Sequence, residues 1–140
     1  MGLSKTVNER GQCAACRLQG GAESIGTARE HTRKFLAEAE PAMADGAVDD
    51  VLLAVSELVT NAVRHAPGPC TLEIALDEQQ VRIGVTDTST VMPVLKSPQY
   101  NGSGGLGLHM LRALAGEVET RLHGGGKTVF VCMARVAAGP

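Results

Sequence analysis

Residues Ser56 to His65 read S-E-L-V-T-N-A-V-R-H, and the alternation of apolar and polar residues there decides the fold. The stretch sits in a helical pattern that begins near Val48. Val48, Val51, Leu52, Val55, Leu58, Val59 and Ala62 recur at the spacing of one buried helix face. At about 100° per residue, Glu57 falls roughly opposite that stripe. Asn61, four residues on, lies about 40° further round, and Arg64 is close to the same line. One face is therefore core, and the other carries an acid, an amide and a base in a row. On its own such a row fits a solvated helix surface as well as a site. Three later segments bear on the choice: V-T-D-T-S at 85–89, G-S-G-G-L-G-L at 102–108 and G-K-T at 126–128.

Upstream of this helix, residues 1–11 read as a loose polar tail and 12–18 as a short edge strand ended by Gly20-Gly21. Thr27-Ala-Arg-Glu30 has the form of a capping box. Ile25, Ala28, Phe35, Leu36 and Ala39 give a first amphipathic helix that Pro41 stops, and Asp45 is placed to cap the second. Pro67-Gly68-Pro69 then breaks the chain, and the period drops from 3.6 to 2. Leu72, Ile74 and Leu76 alternate with polar or small residues, as do Val81, Ile83 and Val85 across the turn at 77–80, so 70–87 is predicted as a hairpin. Residues 88–105 form a long Gly/Pro/Ser-rich loop, a length usually reserved for function or mobility. Leu106, Leu108, Leu111, Leu114 and Ala115 predict a third helix. Val118–Leu122 and Lys127–Ala134 predict a closing strand pair, followed by a tail at 136–140. Helices alternating with hairpins imply an α+β sandwich, with three helices on one face of a mainly antiparallel sheet.

Composition narrows the function. A chain of 140 residues, 44% hydrophobic, builds one core without disulfides or metal. A net charge of −2 and only three aromatics, Phe35, Tyr100 and Phe130, argue against a nucleic-acid binder. No apolar run reaches the ~18 residues of a membrane span, and the N-terminus lacks a charged-then-apolar signal pattern, so the expected location is cytoplasmic. Cys13-Ala-Ala-Cys16 has C-x-x-C spacing but no second pair to complete a zinc site.

Gly102-Ser-Gly104-Gly105-Leu106-Gly107 satisfies G-x-G-x-x-G. The dinucleotide fingerprint requires a strand just before it, and Ser97-Pro-Gln-Tyr-Asn101 cannot supply one. Gly126-Lys127-Thr128 resembles the end of a P-loop, but position 121 is Arg and the residues after Thr128 read as strand. What remains is a glycine-rich loop running into a helix, whose backbone N–H groups and dipole favour a phosphate chain.

Taken together, these motifs resemble the nucleotide-binding domain shared by gyrase, the ninety-kilodalton chaperone, sensor histidine kinases and mismatch-repair ATPases, the GHKL superfamily with its Bergerat-type fold. Glu57-Leu-Val-Thr-Asn61-Ala-Val-Arg64-His65 looks like its N box, Val85-Thr-Asp87-Thr-Ser89 like its first glycine box and Gly102–Leu108 like its second. Lys127-Thr128 looks like its closing adenine-side motif. The match spans about residues 22–135, with 1–21 left as tail and possible strand. The small size and the phrase S-E-L-V-T-N-A-V-R-H-A look most like the bacterial anti-sigma-factor serine/threonine kinases.

The resemblance implies ATP and Mg²⁺ as cofactors. Asn61 would ligate Mg²⁺, Glu57 would act as catalytic base, and Asp87 would accept from the adenine amino group with Thr128 in support. Gly102, Gly104, Gly105, Leu106, Gly107 and Leu108 would form an ATP lid loop around the phosphates, and Arg64 would touch phosphate or simply stand exposed. The implied partners are a sigma factor and an anti-anti-sigma (STAS-type) protein, with a homodimer by analogy; no nucleic acid or membrane is implied. The alternative is an ATP-dependent binding switch with little or no transfer. One departure is plain: the family's first glycine box usually reads D-x-G-x-G, and Asp87-Thr-Ser89-Thr-Val91 has neither glycine.

Overall fold

The computed structural model describes residues 4–8, 11–66, 68–89, 111, 113–114 and 118–139. Among the described residues six strands form one sheet: β1 (Ser4–Asn8), β2 (Gly11–Leu18), β3 (Cys70–Leu76), β4 (Gln80–Asp87), β5 (Glu119–His123) and β6 (Gly126–Ala134). Their order is β1-β2-β3-β4-β6-β5, and every neighbouring pair is antiparallel. Among the described residues, the helices α1 (Glu23–Ala37) and α2 (Asp45–His65) cover one face. α1 packs on β2 and on α2, and α2 packs on β4 and β6. The expected α+β two-layer architecture is the observed one.

Strand alternation builds the core. Cys16 and Leu18 of β2, Leu72 and Ile74 of β3, Val81, Ile83 and Val85 of β4, and Val129 and Val131 of β6 are all buried on the helix side. They meet Phe35 and Leu36 of α1 and Val51, Val55, Leu58, Val59 and Ala62 of α2. Burying each large apolar side chain contributes about 1.5–3 kcal/mol. The stripe predicted along α2 is buried from Val51 to Ala62, with Val48 half-buried at its start.

The termini correct the sequence reading. Residues 4–8, read as part of a loose tail, form the edge strand β1, and β2 lies inside the sheet between β1 and β3. The 136–138 segment is also tied down: Ala44 N–H donates to the Val136 carbonyl and Ala138 N–H to the Ala42 carbonyl, both near 2.9 Å. Arg135 adds bonds to the Asp77 and Pro41 carbonyls.

The helix starts move as well. α1 begins at Glu23, so Thr27 lies inside it, and its hydroxyl bonds back to the Glu23 carbonyl instead of capping. Gly20, at φ +99°, turns the chain where a Cβ would overlap the Gly68 carbonyl, so the helix starts directly after this turn. Ser24 Oγ accepts the Gly20 N–H at 2.9 Å. In α2 the cap position falls on Ala44, held by its strand-like bond to Val136, and Asp45 is the first helical residue. Of the third helix, Leu111, Ala113 and Leu114 are helical and Leu111 is fully buried; the rest of 106–115 lies largely outside the described residues.

Candidate functional site

Register brings the site residues to one end of the sheet. Thr71 pairs with Thr86, so Asp87 stands one residue further, level with Cys70, where β3 begins. α2 ends at His65, five residues before Cys70. At 1.5 Å per residue, Asn61 is about 6 Å and Glu57 about 12 Å along the axis from that helix end. The C-terminal half of α2 therefore lies at the sheet end that carries Asp87.

Glu57 and Asn61 are half-buried, whereas Asp49, Asp50, Arg64 and His65 on the same helix are exposed. Among the described residues neither Glu57 nor Asn61 has a side-chain hydrogen bond or ion pair. The turn before them is anchored. Arg29 of α1 donates to Ser56 Oγ at 2.6 Å and to the Leu52 carbonyl at 3.4 Å, fixing the rotation of α2 relative to α1. The result is a carboxylate and an amide, one turn apart, with no side-chain partner among the described residues.

Asp87 is 4% exposed. Its Oδ1 accepts the Ser89 N–H at 2.9 Å, an Asx-type turn that holds the carboxylate as the chain leaves β4. Its main partner is Lys127: Nζ lies 3.0 Å from both Oδ1 and Oδ2, and the two side chains are 1% and 2% exposed. Burial of a lysine this deep requires such a partner. The neighbouring Gly126 has φ +151°, and a Cβ on it would overlap the Asp87 carbonyl. Only glycine lets β6 begin against the end of β4 in this way.

Thr128 is not the residue that supports Asp87. Register pairs Asp87 with Lys127 and Thr86 with Thr128, so the two pairs point to opposite faces of the sheet. The Thr128 hydroxyl shares a 2.7 Å hydrogen bond with Thr86 and lies 3.3 Å from His123 Nε2, on the face away from the helices. Lys127 was legible in principle: position 127 has the parity of Val129, Val131 and Met133, and a lysine on a buried face signals a buried acid opposite. Arg64 is exposed in the last turn of α2, where a cation suits the helix dipole. Gly102, Gly104, Gly105, Leu106, Gly107 and Leu108 lie outside the described residues.

The remaining clusters fall elsewhere. Strand alternation puts Cys13 and Cys16 on opposite faces of β2, so their C-x-x-C spacing cannot converge on a metal or form a local disulfide. All four cysteines are free thiols. Cys16 Sγ lies 2.8 Å from His31 Nδ1, joining β2 to α1. Burial pushes the Cys16 thiol above its ordinary value of 9.0. Cys70 is pushed up by burial first, then by the Asp87 carboxylate and Cys16. On the outer face an open trough of about 610 Å³ runs past Glu73, Arg82, Gly84 and Phe130, away from Glu57, Asn61 and Asp87. The Arg82 and Arg121 guanidinium carbons stack 4.3 and 4.9 Å from the Phe130 ring centre.

Comparison with known proteins agrees with this arrangement. The family model of the histidine kinase-like ATPase domain matches residues 19–133. Among solved structures, the chain is similar to the RsbU and RsbW domains of Rv1364c from Mycobacterium tuberculosis, with 24% identity and a TM-score of 0.65. That similarity covers 90% of this chain and 33% of the other, so the chain spans about a third of that protein's solved length, and the likeness is one of fold. A search of the curated proteins found no relative. No helix among the described residues is long and apolar enough to cross a membrane. With a family-model match over most of its length, the chain belongs to the histidine kinase-like ATPase domain family.

Proposed function

We propose that the chain binds ATP with Mg²⁺ at the sheet end between α2 and Asp87. We further propose that it is a cytoplasmic anti-sigma regulator, with serine/threonine kinase activity toward an anti-anti-sigma (STAS-type) partner and a homodimeric assembly. The observation that carries the reading is Asp87: a carboxylate buried at the end of β4, oriented by Ser89 N–H and beside the C-terminal half of α2. A buried acceptor at that place is what recognition of a base amino group requires.

The residues present fit both groups. The Asn61 amide, half-buried and without a side-chain partner among the described residues, offers the hard oxygen that Mg²⁺ prefers. When bound, Mg²⁺ would offset the charge of the phosphates. Glu57, one turn earlier, would accept the proton of the incoming serine or threonine hydroxyl. Lys127 and Asp87 are nearly closed to solvent, so base binding requires the chain packed over that end of the sheet to move aside while the β4–β6 pairing stays in place. The phrase S-E-L-V-T-N-A-V-R-H-A supports the anti-sigma assignment within the family.

Titration calorimetry with Mg-ATP tests the binding. The wild-type chain takes up nucleotide, and Asp87→Asn, checked for fold by circular dichroism, loses most of the affinity. No uptake by folded wild type at millimolar Mg-ATP rejects the reading. Transfer of labelled γ-phosphate to a cognate anti-anti-sigma protein tests the chemistry. Glu57→Gln should slow it by about 10²–10⁴-fold, and undiminished transfer removes Glu57 from the base role. Partner binding with ATP left intact over many cycles would make the chain a binding switch.

A further inference from the structure

We infer that the outer face of the sheet is the interface between two copies of this chain, with Glu73 of each copy paired to Arg82 of the other. The inference rests on the homodimeric part of the reading above and names the surface that joins the copies.

An antiparallel sheet with one face in water carries polar side chains on that face. Here the floor of the 610 Å³ trough is made of Cys13, Ala15, Ala75 and Gly84, all small. Beside this hollow stands a ridge. Phe130 of β6 is 5% exposed, with Arg82 from β4 and Arg121 from β5 over its ring. A guanidinium already held against a ring loses less freedom on binding. Glu73, Arg82 and Arg121 are exposed, and among the described residues none of the three makes an ion pair. One surface therefore offers an open acid, open bases, a hollow and a ridge.

Register makes that surface complementary to itself. Ala15, Glu73, Gly84 and Phe130 stand level across β2, β3, β4 and β6, and Cys13, Ala75, Arg82 and Cys132 form the next outward row. A two-fold axis parallel to the strands, between β3 and β4, exchanges β3 with β4 and β2 with β6. Phe130 of one copy then sits over Ala15 of the second copy. Glu73 sits over Gly84 of the second copy, next to its Arg82, and the reciprocal pair forms by symmetry. Each ridge enters the opposite hollow, at the spacing of about 10 Å usual for stacked sheets. Six strands about 4.8 Å apart and about 20 Å long cover roughly 600 Å² per copy, about 1,200 Å² for the pair, which is the range of a specific interface. Glu57, Asn61 and Asp87 belong to the helix side, so both nucleotide sites stay open.

Sedimentation velocity of the full chain tests the interface, and wild type should run as a dimer. Glu73→Arg, checked for fold by circular dichroism, should weaken association at least about tenfold, and adding Arg82→Glu should restore most of it. Cys13 of one copy falls opposite Cys132 of the other, whereas within one copy three strand spacings, about 14 Å, separate them. A bis-maleimide shorter than that span should give a covalent dimer that Cys13→Ser and Cys132→Ser each abolish. A monomeric wild type overturns the inference and the homodimer together. A dimer that Glu73→Arg leaves intact overturns this interface alone, as does cross-linking that survives loss of either cysteine. Mg-ATP titration reports the nucleotide reading separately, because Glu73→Arg changes no residue of that site.

Discussion

Removing either half of the Lys127–Asp87 pair should cost far more stability than removing both. Nζ makes two charge-assisted hydrogen bonds of 3.0 Å, each worth about 1.5–3 kcal/mol. With side chains 1% and 2% exposed, no discount for solvent screening applies. Asp87→Asn leaves an uncompensated buried ammonium and Lys127→Met an uncompensated carboxylate, and breaking a buried pair this way costs about 3–5 kcal/mol. Against a total stability of about 5–15 kcal/mol, either change should lower Tm by roughly 10–20 °C in a chain of this size. The double variant Asp87→Leu/Lys127→Met puts apolar groups of similar volume in the same space and should recover most of that loss, while losing nucleotide affinity. Urea titrations of the four proteins, at low salt and in 1 M NaCl, measure these differences. Single variants within about 1 kcal/mol of wild type would refute the reasoning, as would a double variant no better than the worse single. A destabilisation that vanishes in salt would show that the pair is solvated.

Three further outcomes follow from the geometry. Gly126→Ala should destabilise strongly, because its Cβ would overlap the Asp87 carbonyl at φ +151°; thermal unfolding checks this, and a Tm near wild type would show that β6 can start elsewhere. In the native protein a thiol reagent should modify Cys132 and Cys13 and spare Cys16 and Cys70 until unfolding. Since burial raises both inner thiols above 9.0, the unfolded chain ionises first, and their contribution, whole below that pH, is lost as pH rises past it. Asp77 shows the opposite sign. The backbone N–H groups of Gln79 and Gln80 hold its carboxyl below the ordinary 3.8, so its contribution is present above that value and disappears as pH falls through the folded-state titration. Asp77→Asn should flatten that part of an acid-denaturation curve.

Much of this architecture is written in periodicity. The α2 stripe and the alternation in 70–87 and 127–134 specify which residues face the core, and burial follows them apart from Gly84 and Phe130, buried off the alternation, and Val48, half-buried at the start of the stripe. The places of Glu57, Asn61 and Asp87 in the fold were readable because they are set locally, by a helix face and a strand end. The misreadings share a cause, which is tertiary pairing. Residues 4–8 are polar and become a strand only because β2 offers an edge. Asp45 loses the cap position because Val136, 92 positions away in the chain, holds Ala44. The resemblance implies Thr128 in support of Asp87, but cross-strand register puts Lys127 opposite Asp87, and register between β4 and β6 is invisible until the strands are paired.

The pairing of β4 with β6 is fastened at both extremities. Lys127 grips Asp87 at one, and Arg135 grips the Asp77 carbonyl at the other, with its N–H bonded to the Gln79 carbonyl. Amide hydrogens along this ladder should therefore be among the last to exchange with deuterium, close to the rate of global unfolding. Groups that read a base would then sit on the stiffest part of the molecule. In the proposed reading, a signal from nucleotide to partner would travel through the elements around that ladder, not through the ladder itself.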